Sequence, residues 1–168
     1  MIQAEQWYAF ETSWDWMATA WRRERLFALT FGHKRSQQAI KMLGGSESPT
    51  PPASVQAIHR QLKGYADGAI DGLADIDVDI DDRTPFQQAV LQACRSIPPG
   101  STCSYGELAA ECGRPRAARA VGNVMRTNRH PLVIPCHRVV GSSGQLVGFS
   151  APGGLNMKEE LLAREAAC

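Results

Sequence analysis

The chain has 168 residues, 43% of them hydrophobic and 21% charged, with a net charge of +1. This composition is typical of a soluble globular protein with one sizeable core or two small ones, and no apolar run is long enough for a membrane span. The first residues lack a secretory pattern, so a cytoplasmic protein is expected.

The chain has five cysteines, which limit the kinds of covalent link and metal site that it can form. They lie at positions 94, 103, 112, 136 and 168. Their number is odd and no export signal accompanies them, which argues against a disulfide framework. Their spacing is not that of a zinc site, so neither a metal ion nor another cofactor is predicted.

Residues 1–80 predict a small α/β domain. Three stretches rich in aromatic and apolar residues predict strands, and a charged run between the last two predicts a hairpin turn. Helical periodicity ended by glycines predicts two helices. Alternating apolar residues and aspartates then predict an exposed edge strand rather than a calcium site. These elements are Trp7–Phe10, Trp14–Trp21, Leu26–Phe31, Ser36–Leu43, Ser54–Tyr65 and Ile76–Ile80.

Residues 84–168 predict a second, mainly helical domain after a boundary at residues 81–84. Thr84 caps its first helix, and Pro85 takes the first helical position. This half carries 9 Lys and Arg against 5 Asp and Glu, whereas residues 1–83 carry 9 against 12. A polyanion would therefore bind the second half.

Two short helices follow and predict a helix-turn-helix in a winged-helix-like domain. Ser104 and Glu107 have the spacing of a capping box at the start of a helix over residues 105–112. Gly113 separates it from a second helix over residues 114–126. The second helix of such a motif usually enters a groove of DNA.

This second helix combines small residues, which allow close approach to a surface, with arginines that suit phosphate contacts. An alanine-rich helix packed on its neighbour, with its arginines in water, explains the same pattern equally well. The residues concerned are Arg116, Ala117, Ala118, Arg119, Ala120, Gly122 and Arg126.

Cys136 and His137 give the strongest indication of chemistry. A cysteine beside an imidazole is a frequent setting for a reactive thiolate. Neighbouring side chains on a strand point to opposite faces, however, so the pair by itself favours a structural cysteine. Pro135 changes this interpretation because it interrupts the apolar run and fixes a turn that presents Cys136.

The region around the pair resembles the active-site segment of the O6-alkylguanine-DNA alkyltransferases, which reverse DNA alkylation directly. The similarity covers about residues 84–166 and keeps the order and spacing of the family's motifs. The matching positions are 104–109, 116–123, Asn128, Pro131, 134–139, 148–150 and 158–165.

The resemblance implies a single displacement, in which the Cys136 thiolate takes the alkyl group from guanine O6 and is spent. By the family's pattern, His137 would act as the base through a bridging water, and Glu165 would orient the imidazole. Asn128 would hold the nucleophile turn, and Tyr105 would donate a proton to the guanine ring. A thiol pKa below the reference of about 8.5 is expected from this arrangement.

The resemblance also implies binding of double-stranded DNA in the minor groove, with the O6-alkylguanine flipped out of the stack. Arg119 would replace the flipped nucleotide. A monomer is expected, while cooperative binding and a second substrate, O4-alkylthymine, are left open. The residues implied in DNA binding are Arg116, Ala117, Arg119, Ala120, Asn123, Arg126 and Tyr105. Those implied in the substrate pocket are Met125, Val139, Phe149 and Ser150.

Two other functions would use the same residues. A Cys-His-Glu hydrolase would need an oxyanion hole and repeated turnover, and no sequence feature marks that hole. A non-catalytic helix-turn-helix binder of damaged DNA would use Arg119 without chemistry, and the presence of Cys136 disfavours it.

Overall fold

Two compact units make up the chain in a computed structural model, which describes residues 3–70 and 72–167. The units are Met1–Asp79 and Ile80–Cys168, and the sequence pattern changes at residues 81–84. The first unit is α/β and the second is mainly helical. The predicted fold class is therefore confirmed.

The first unit contains a three-stranded antiparallel sheet whose strands lie in sequence order. In the turn between the last two strands, Arg23 and Glu24 have φ of 51° and 61°. Positive φ at both central residues lets a two-residue turn follow the twist of the strands, so the predicted hairpin turn is confirmed. The strands are β1 Gln6–Thr12, β2 Asp15–Arg22 and β3 Arg25–His33, at the predicted places.

The two predicted helices are present as α1 Ser36–Met42 and α2 Ala53–Ala66, and they pack on this sheet. His59 of α2 is buried against the sheet. Its ring stacks on Phe10 with 4.0 Å between centroids, and its Nε2 is 2.8 Å from Oγ1 of Thr19. Burial lowers the pKa of His59 to about 4, so the ring is neutral at pH 7.

The prediction of an exposed edge strand at Ile76–Ile80 is wrong. Val78 forms an isolated parallel bridge to Leu26 instead of a regular strand. Asp79 is 1% exposed and accepts two hydrogen bonds of 2.6 Å from Arg22. Alternation along the chain carries no information about a partner 57 residues away, so this buried ion pair could not be predicted.

The second unit is built from helices joined by short turns. Thr84 and Ser104 each accept a hydrogen bond from the backbone three residues later, which confirms both predicted helix starts. Within the described residues, no helix is long and apolar enough to cross a membrane. The elements are α3 Pro85–Arg95, β4 Cys103–Ser104, α4 Tyr105–Glu111, α5 Ala118–Arg126, a 3-10 turn Cys136–Arg138, β5 Val139–Val140 and α6 Gly154–Ala166.

Helix α5 begins later than predicted. A turn precedes it, closed by a 2.9 Å bond from the N–H of Ala117 to the carbonyl of Arg114. Pro115 takes the second position of this four-residue turn, which its fixed φ favours. Arg116 and Ala117 therefore lie ahead of the helix, while the helix packs against α4.

Candidate active site

Two consecutive turns present Cys136. The N–H of Cys136 donates to the carbonyl of Ile134 at 2.8 Å, and Pro135 between them has φ −78° and ψ 66°. These angles define an inverse γ-turn, whose φ the proline ring fixes. A 3-10 turn follows at once, so Cys136 and His137 do not lie on a strand. The argument that places strand neighbours on opposite faces does not apply here.

Asn128 and Leu132 hold the segment that leads into these turns. Nδ2 of Asn128 donates to the carbonyl of Ile134 at 2.9 Å, and its Oδ1 accepts from the N–H of His130 at 3.0 Å. Leu132 is 2% exposed and has φ of 73°, a left-handed conformation that costs a residue with a side chain about 1–3 kcal/mol. Asn128 thus lies at the nucleophile turn, where the sequence places it.

His137, Arg138 and Glu165 form a buried network next to Cys136. Nε2 of His137 lies 2.8 Å from Oε1 of Glu165. Arg138 donates to both carboxylate oxygens, from Nη2 at 2.7 Å and from Nε at 2.9 Å. Glu165 is 2% exposed, and a carboxylate so buried requires charged or hydrogen-bonded partners. The structure brings His137 and Glu165 together, and it adds Arg138, for which the sequence analysis gave no such role.

The bond to Glu165 sets the protonation of His137. A carboxylate only accepts, so Nε2 carries the proton and Nδ1 keeps a lone pair. Burial lowers the pKa of His137, and the opposing effect of Glu165 is smaller. The imidazole is therefore neutral at pH 7. Nδ1 is buried and has no hydrogen-bond partner within the described parts of the chain. His137 therefore has the form that a general base requires.

The prediction of a lowered thiol pKa is wrong. Burial raises the pKa of Cys136, because the charged thiolate loses water. A side-chain hydrogen bond from Asn128 and the charge of Lys158 oppose this effect without cancelling it. Cys136 is thus a neutral thiol at pH 7, and its proton must leave for it to react.

A cavity of about 770 Å³ opens at Cys136. Its size is in the range of small-molecule sites, and α4, α5 and the loop after β5 form its walls. The predicted residues that line it are Tyr105, Arg119, Asn123, Met125, Arg126, Cys136, Phe149 and Ser150. Five others line it too, namely Gly106, Ala118, Gly122, Ser142 and Gly148.

The remaining predicted residues do not line this cavity. Some are buried or half-buried, and the others belong to the surface at the start of α5. The first group is Asn128, His137, Val139 and Glu165, and the second is Arg116, Ala117 and Ala120.

Tyr105 lines the cavity and is bound to the loop after β5. Its hydroxyl donates to the carbonyl of Val147 at 2.9 Å. Burial, followed by the effects of Cys136 and Cys94, raises its pKa, so the hydroxyl keeps its proton at neutral pH. The hydroxyl is a donor at the pocket, and a substrate that uses it must replace Val147 as the acceptor.

Lys158 is a buried residue to which the sequence analysis gave no role. It is 0% exposed, and its Nζ donates to the carbonyls of Val139, Val147 and Gly148. Its helical spacing to Leu161 and Glu165 places all three on the buried face of α6, and this periodicity could have indicated its burial. Its partners lie in other segments, so their identity was not readable from the sequence.

The buried thiol, the neutral imidazole and the open cavity define a protein that uses its own cysteine in chemistry. Residues 85–167 match the family described as 6-O-methylguanine DNA methyltransferase, DNA binding domain. The methylated-DNA–protein-cysteine methyltransferase of Mycobacterium bovis is 45% identical over 141 residues, covering 80% of this chain and 82% of that protein. The protein of that name from Salmonella typhimurium is 52% identical over 82 residues, covering 49% and 47%.

Whole-chain similarity extends to solved structures. The crystal structure of Mycobacterium tuberculosis OGT in complex with DNA matches with a TM-score of 0.77 and 34% identity, covering 97% of this chain and 94% of that one. The chain belongs to the methylated-DNA–protein-cysteine methyltransferase family. It is an alkyl-transferring DNA-repair protein, and neither the hydrolase nor the non-catalytic binder is favoured.

Proposed function

We propose that the protein repairs O6-alkylguanine by moving the alkyl group to Cys136 in one irreversible step. The observation that carries this proposal is the cavity that ends at Cys136, next to a neutral histidine paired with a buried carboxylate. The sulfur forms a bond to the alkyl carbon as the bond from that carbon to guanine O6 breaks. The product is a thioether at Cys136, so each molecule would react once.

The proton of Cys136 passes to His137 in this mechanism. The free lone pair of Nδ1 receives it, through a bridging water as the family resemblance implies. Glu165 then faces an imidazolium and stabilises its charge at 2.8 Å. The raised pKa of the thiol makes this base necessary, because a buried neutral thiol does not ionise by itself at pH 7.

Guanine would be held by groups at the cavity wall. The Tyr105 hydroxyl exchanges Val147 for a ring nitrogen and donates as negative charge builds on the leaving base. Backbone groups of Cys136 and Ser150, which both line the cavity, would read the guanine edge, whereas Val139 lies outside the lining. Met125 and Phe149 supply apolar surface, and the methionine side chain adapts to substituents of different shape.

DNA would bind over α5, with the second helix of the predicted helix-turn-helix in the minor groove. Arg119, Ala120, Asn123 and Arg126 are exposed on this helix, while Val121 is buried on its other face. Arg119 also lines the cavity, so it can fill the stack while the flipped base enters. The short side chain of Ala120 permits close approach without selecting a base sequence.

The proposal includes a monomer that acts in the cytoplasm. A reducing compartment suits a reaction that needs a free thiol, and Cys94, Cys103, Cys112 and Cys136 are all free. One protein molecule contains every residue named in the mechanism, so no partner subunit is required.

The direct test of the function is intact-mass measurement after incubation with duplex DNA containing O6-methylguanine. We expect a gain of one methyl group per molecule, on Cys136, and then no further reaction. Cys136→Ser should bind this DNA but gain no methyl group. The matched control is Cys103→Ser, a half-buried cysteine whose loss should leave transfer intact. Turnover beyond one equivalent would contradict single use and favour a hydrolase.

Base flipping has its own test in Arg119. Arg119→Ala should slow repair of duplex DNA by roughly 10- to 100-fold, since flipping costs a few kcal/mol. Reaction with the free base O6-benzylguanine should change little, because it needs no flipping. Arg116→Ala, an exposed arginine outside the cavity lining, is the control and should slow duplex repair much less. Equal losses on both substrates would assign Arg119 to the pocket or the fold instead.

A further inference from the structure

Lys158 carries a buried positive charge at the pocket. Its Nζ lies 2.6 Å from the carbonyl of Val139 and 3.2 Å from those of Val147 and Gly148. An ammonium has three N–H donors, and three carbonyls match them. Such a group is costly to bury, and burial lowers its pKa. A neutral donor such as a glutamine amide would serve these carbonyls without a buried charge, so the charge itself calls for a role.

The three carbonyls belong to two segments of the site. Val139 directly follows the nucleophile turn, which contributes Cys136 to the cavity lining, whereas Val147 and Gly148 lie in the loop after β5, which forms another wall. The carbonyl of Val147 also accepts from the hydroxyl of Tyr105. One side chain therefore connects the nucleophile turn, the loop and the carbonyl that holds Tyr105.

The charge of Lys158 acts on the reacting thiol. It lowers the pKa of Cys136, in opposition to burial, while the charges of Cys136 and Cys94 raise the pKa of Lys158. The cation of Arg138 is shared with the carboxylate of Glu165, as described above. Other titratable and charged groups surround Cys136 and Lys158 on the neighbouring elements. They are Cys94 of α3, Cys103 of β4, Tyr105 of α4, His137 and Arg138 of the nucleophile turn, and Glu165 of α6.

We propose that Lys158 is a positioning residue for alkyl transfer, which holds the two pocket walls and supplies the positive charge that Cys136 needs as its thiolate forms. This inference rests on the proposed function and adds a residue to it. His137 takes the proton, and Lys158 stabilises the charge left on sulfur. A lysine with a purely structural role would hold the two walls but would not stabilise the thiolate.

The experiment compares rates of alkyl uptake from free O6-benzylguanine across pH, by intact mass, for the wild type and for Lys158→Met. The free base removes DNA binding and flipping from the measurement. Loss of the positive charge raises the pKa of Cys136, so the pH of half-maximal rate should rise by about one unit or more, with roughly tenfold slower uptake at neutral pH. Lys158→Arg, which keeps the charge, should restore the midpoint.

A structural role predicts another result. If Lys158 only holds the walls, the rate falls at every pH and the midpoint stays unchanged, which would overturn the proposal. Stability changes with pH, so each rate is divided by the folded fraction that circular dichroism measures at the same pH, and the midpoint is read from the corrected rates. Lys158→Gln keeps a donor without the charge and gives the same test if the methionine variant does not fold.

Two controls separate this inference from the proposed function. Arg164→Met removes a positive charge from the same helix at a half-exposed position and should leave the midpoint in place. If the wild type takes up no alkyl group at all, the proposed function fails. If the wild type reacts and Lys158→Met shows the wild-type midpoint, the role of Lys158 alone fails.

Discussion

Each unit has a buried histidine whose contacts can be compared, and His59 and His137 differ in their partners. His59 in the first unit meets a hydroxyl, that of Thr19, and the face of Phe10. His137 in the second unit meets the carboxylate of Glu165. Burial lowers the pKa of both. Only beside the carboxylate can a proton taken up by the ring be stabilised, so burial makes a histidine neutral and its partner decides whether it can serve as a base.

The largest effect should come from removing the partner of His137. Glu165→Gln leaves the imidazole without a negative charge to stabilise its protonated form, so transfer at neutral pH should slow by about 100-fold or more. The rate-versus-pH curve should shift to higher pH, since the thiol must lose its proton with less help. Binding of DNA should stay nearly the same. Intact mass over time, with DNA affinity measured alongside, checks both statements.

The control for this change is Glu160→Gln. Glu160 is an exposed carboxylate on the same helix, paired with Arg164 at 3.1 Å, and it should be dispensable for transfer. Glu165→Gln also deprives Arg138 of its ion pair, so rates must refer to the folded fraction. A curve that overlays the wild type would show that Glu165 has no part in proton transfer.

His59 should make stability depend on acid. Its pKa falls from 6.5 in the unfolded chain to about 4 in the fold. Above pH 6.5 the ring of His59 is neutral in both the folded and the unfolded state, so none of the folding stability is lost to its protonation. As pH drops from 6.5 towards 4, the unfolded state binds a proton that the folded state resists, so stability falls by about 3 kcal/mol in total. Urea unfolding at a series of pH values measures this loss.

The variant His59→Gln isolates the part of the pH-dependent stability that His59 carries. It should flatten the pH dependence between 6.5 and 4, whatever its stability at neutral pH. The folded fraction should still transfer alkyl groups at the wild-type rate, since His59 lies in the other unit from the thiol. An unchanged slope in the variant would mean that another group carries the acid sensitivity.

The smallest expected effect concerns the partner of His59. Thr19→Val keeps the shape but leaves Nε2 of His59 and Nε1 of Trp21 without the hydroxyl that each now contacts, at 2.8 and 2.9 Å. We expect a loss of about 2 kcal/mol in unfolding free energy and no change in transfer by folded protein. Thr30→Val is the control: its histidine partner His33 is half-exposed, so water can replace the hydroxyl. Equal losses in both would contradict the burial argument.

Local signals explain what the sequence predicted well. Aromatic strands, the charged hairpin at Arg23 and Glu24, and the caps at Thr84 and Ser104 depend on residues a few positions apart, so a linear pattern records them. The contact between His137 and Glu165, 28 positions apart, was expected through resemblance to a family and not from any local pattern.

Long-range partners explain what the sequence did not predict. The burial of Asp79 depends on Arg22, and the role of Arg138 depends on Glu165 in a distant helix. The raised pKa of Cys136 follows from its solvent exclusion, which the neighbouring residue types do not reveal. Helix α5 starts at Ala118 because a turn before it satisfies its own backbone bond.

The raised pKa of Cys136 also bears on how long the protein stays useful. A reagent that is consumed by a single event must survive until that event occurs. Small electrophiles and oxidants in the cell attack thiolates far faster than neutral thiols, and a buried neutral thiol is protected from both. In the proposed mechanism, reactivity develops when His137 takes the proton of the thiol. Burial of the nucleophile is thus a means of chemical selectivity, by which the resting molecule is preserved for its proper target.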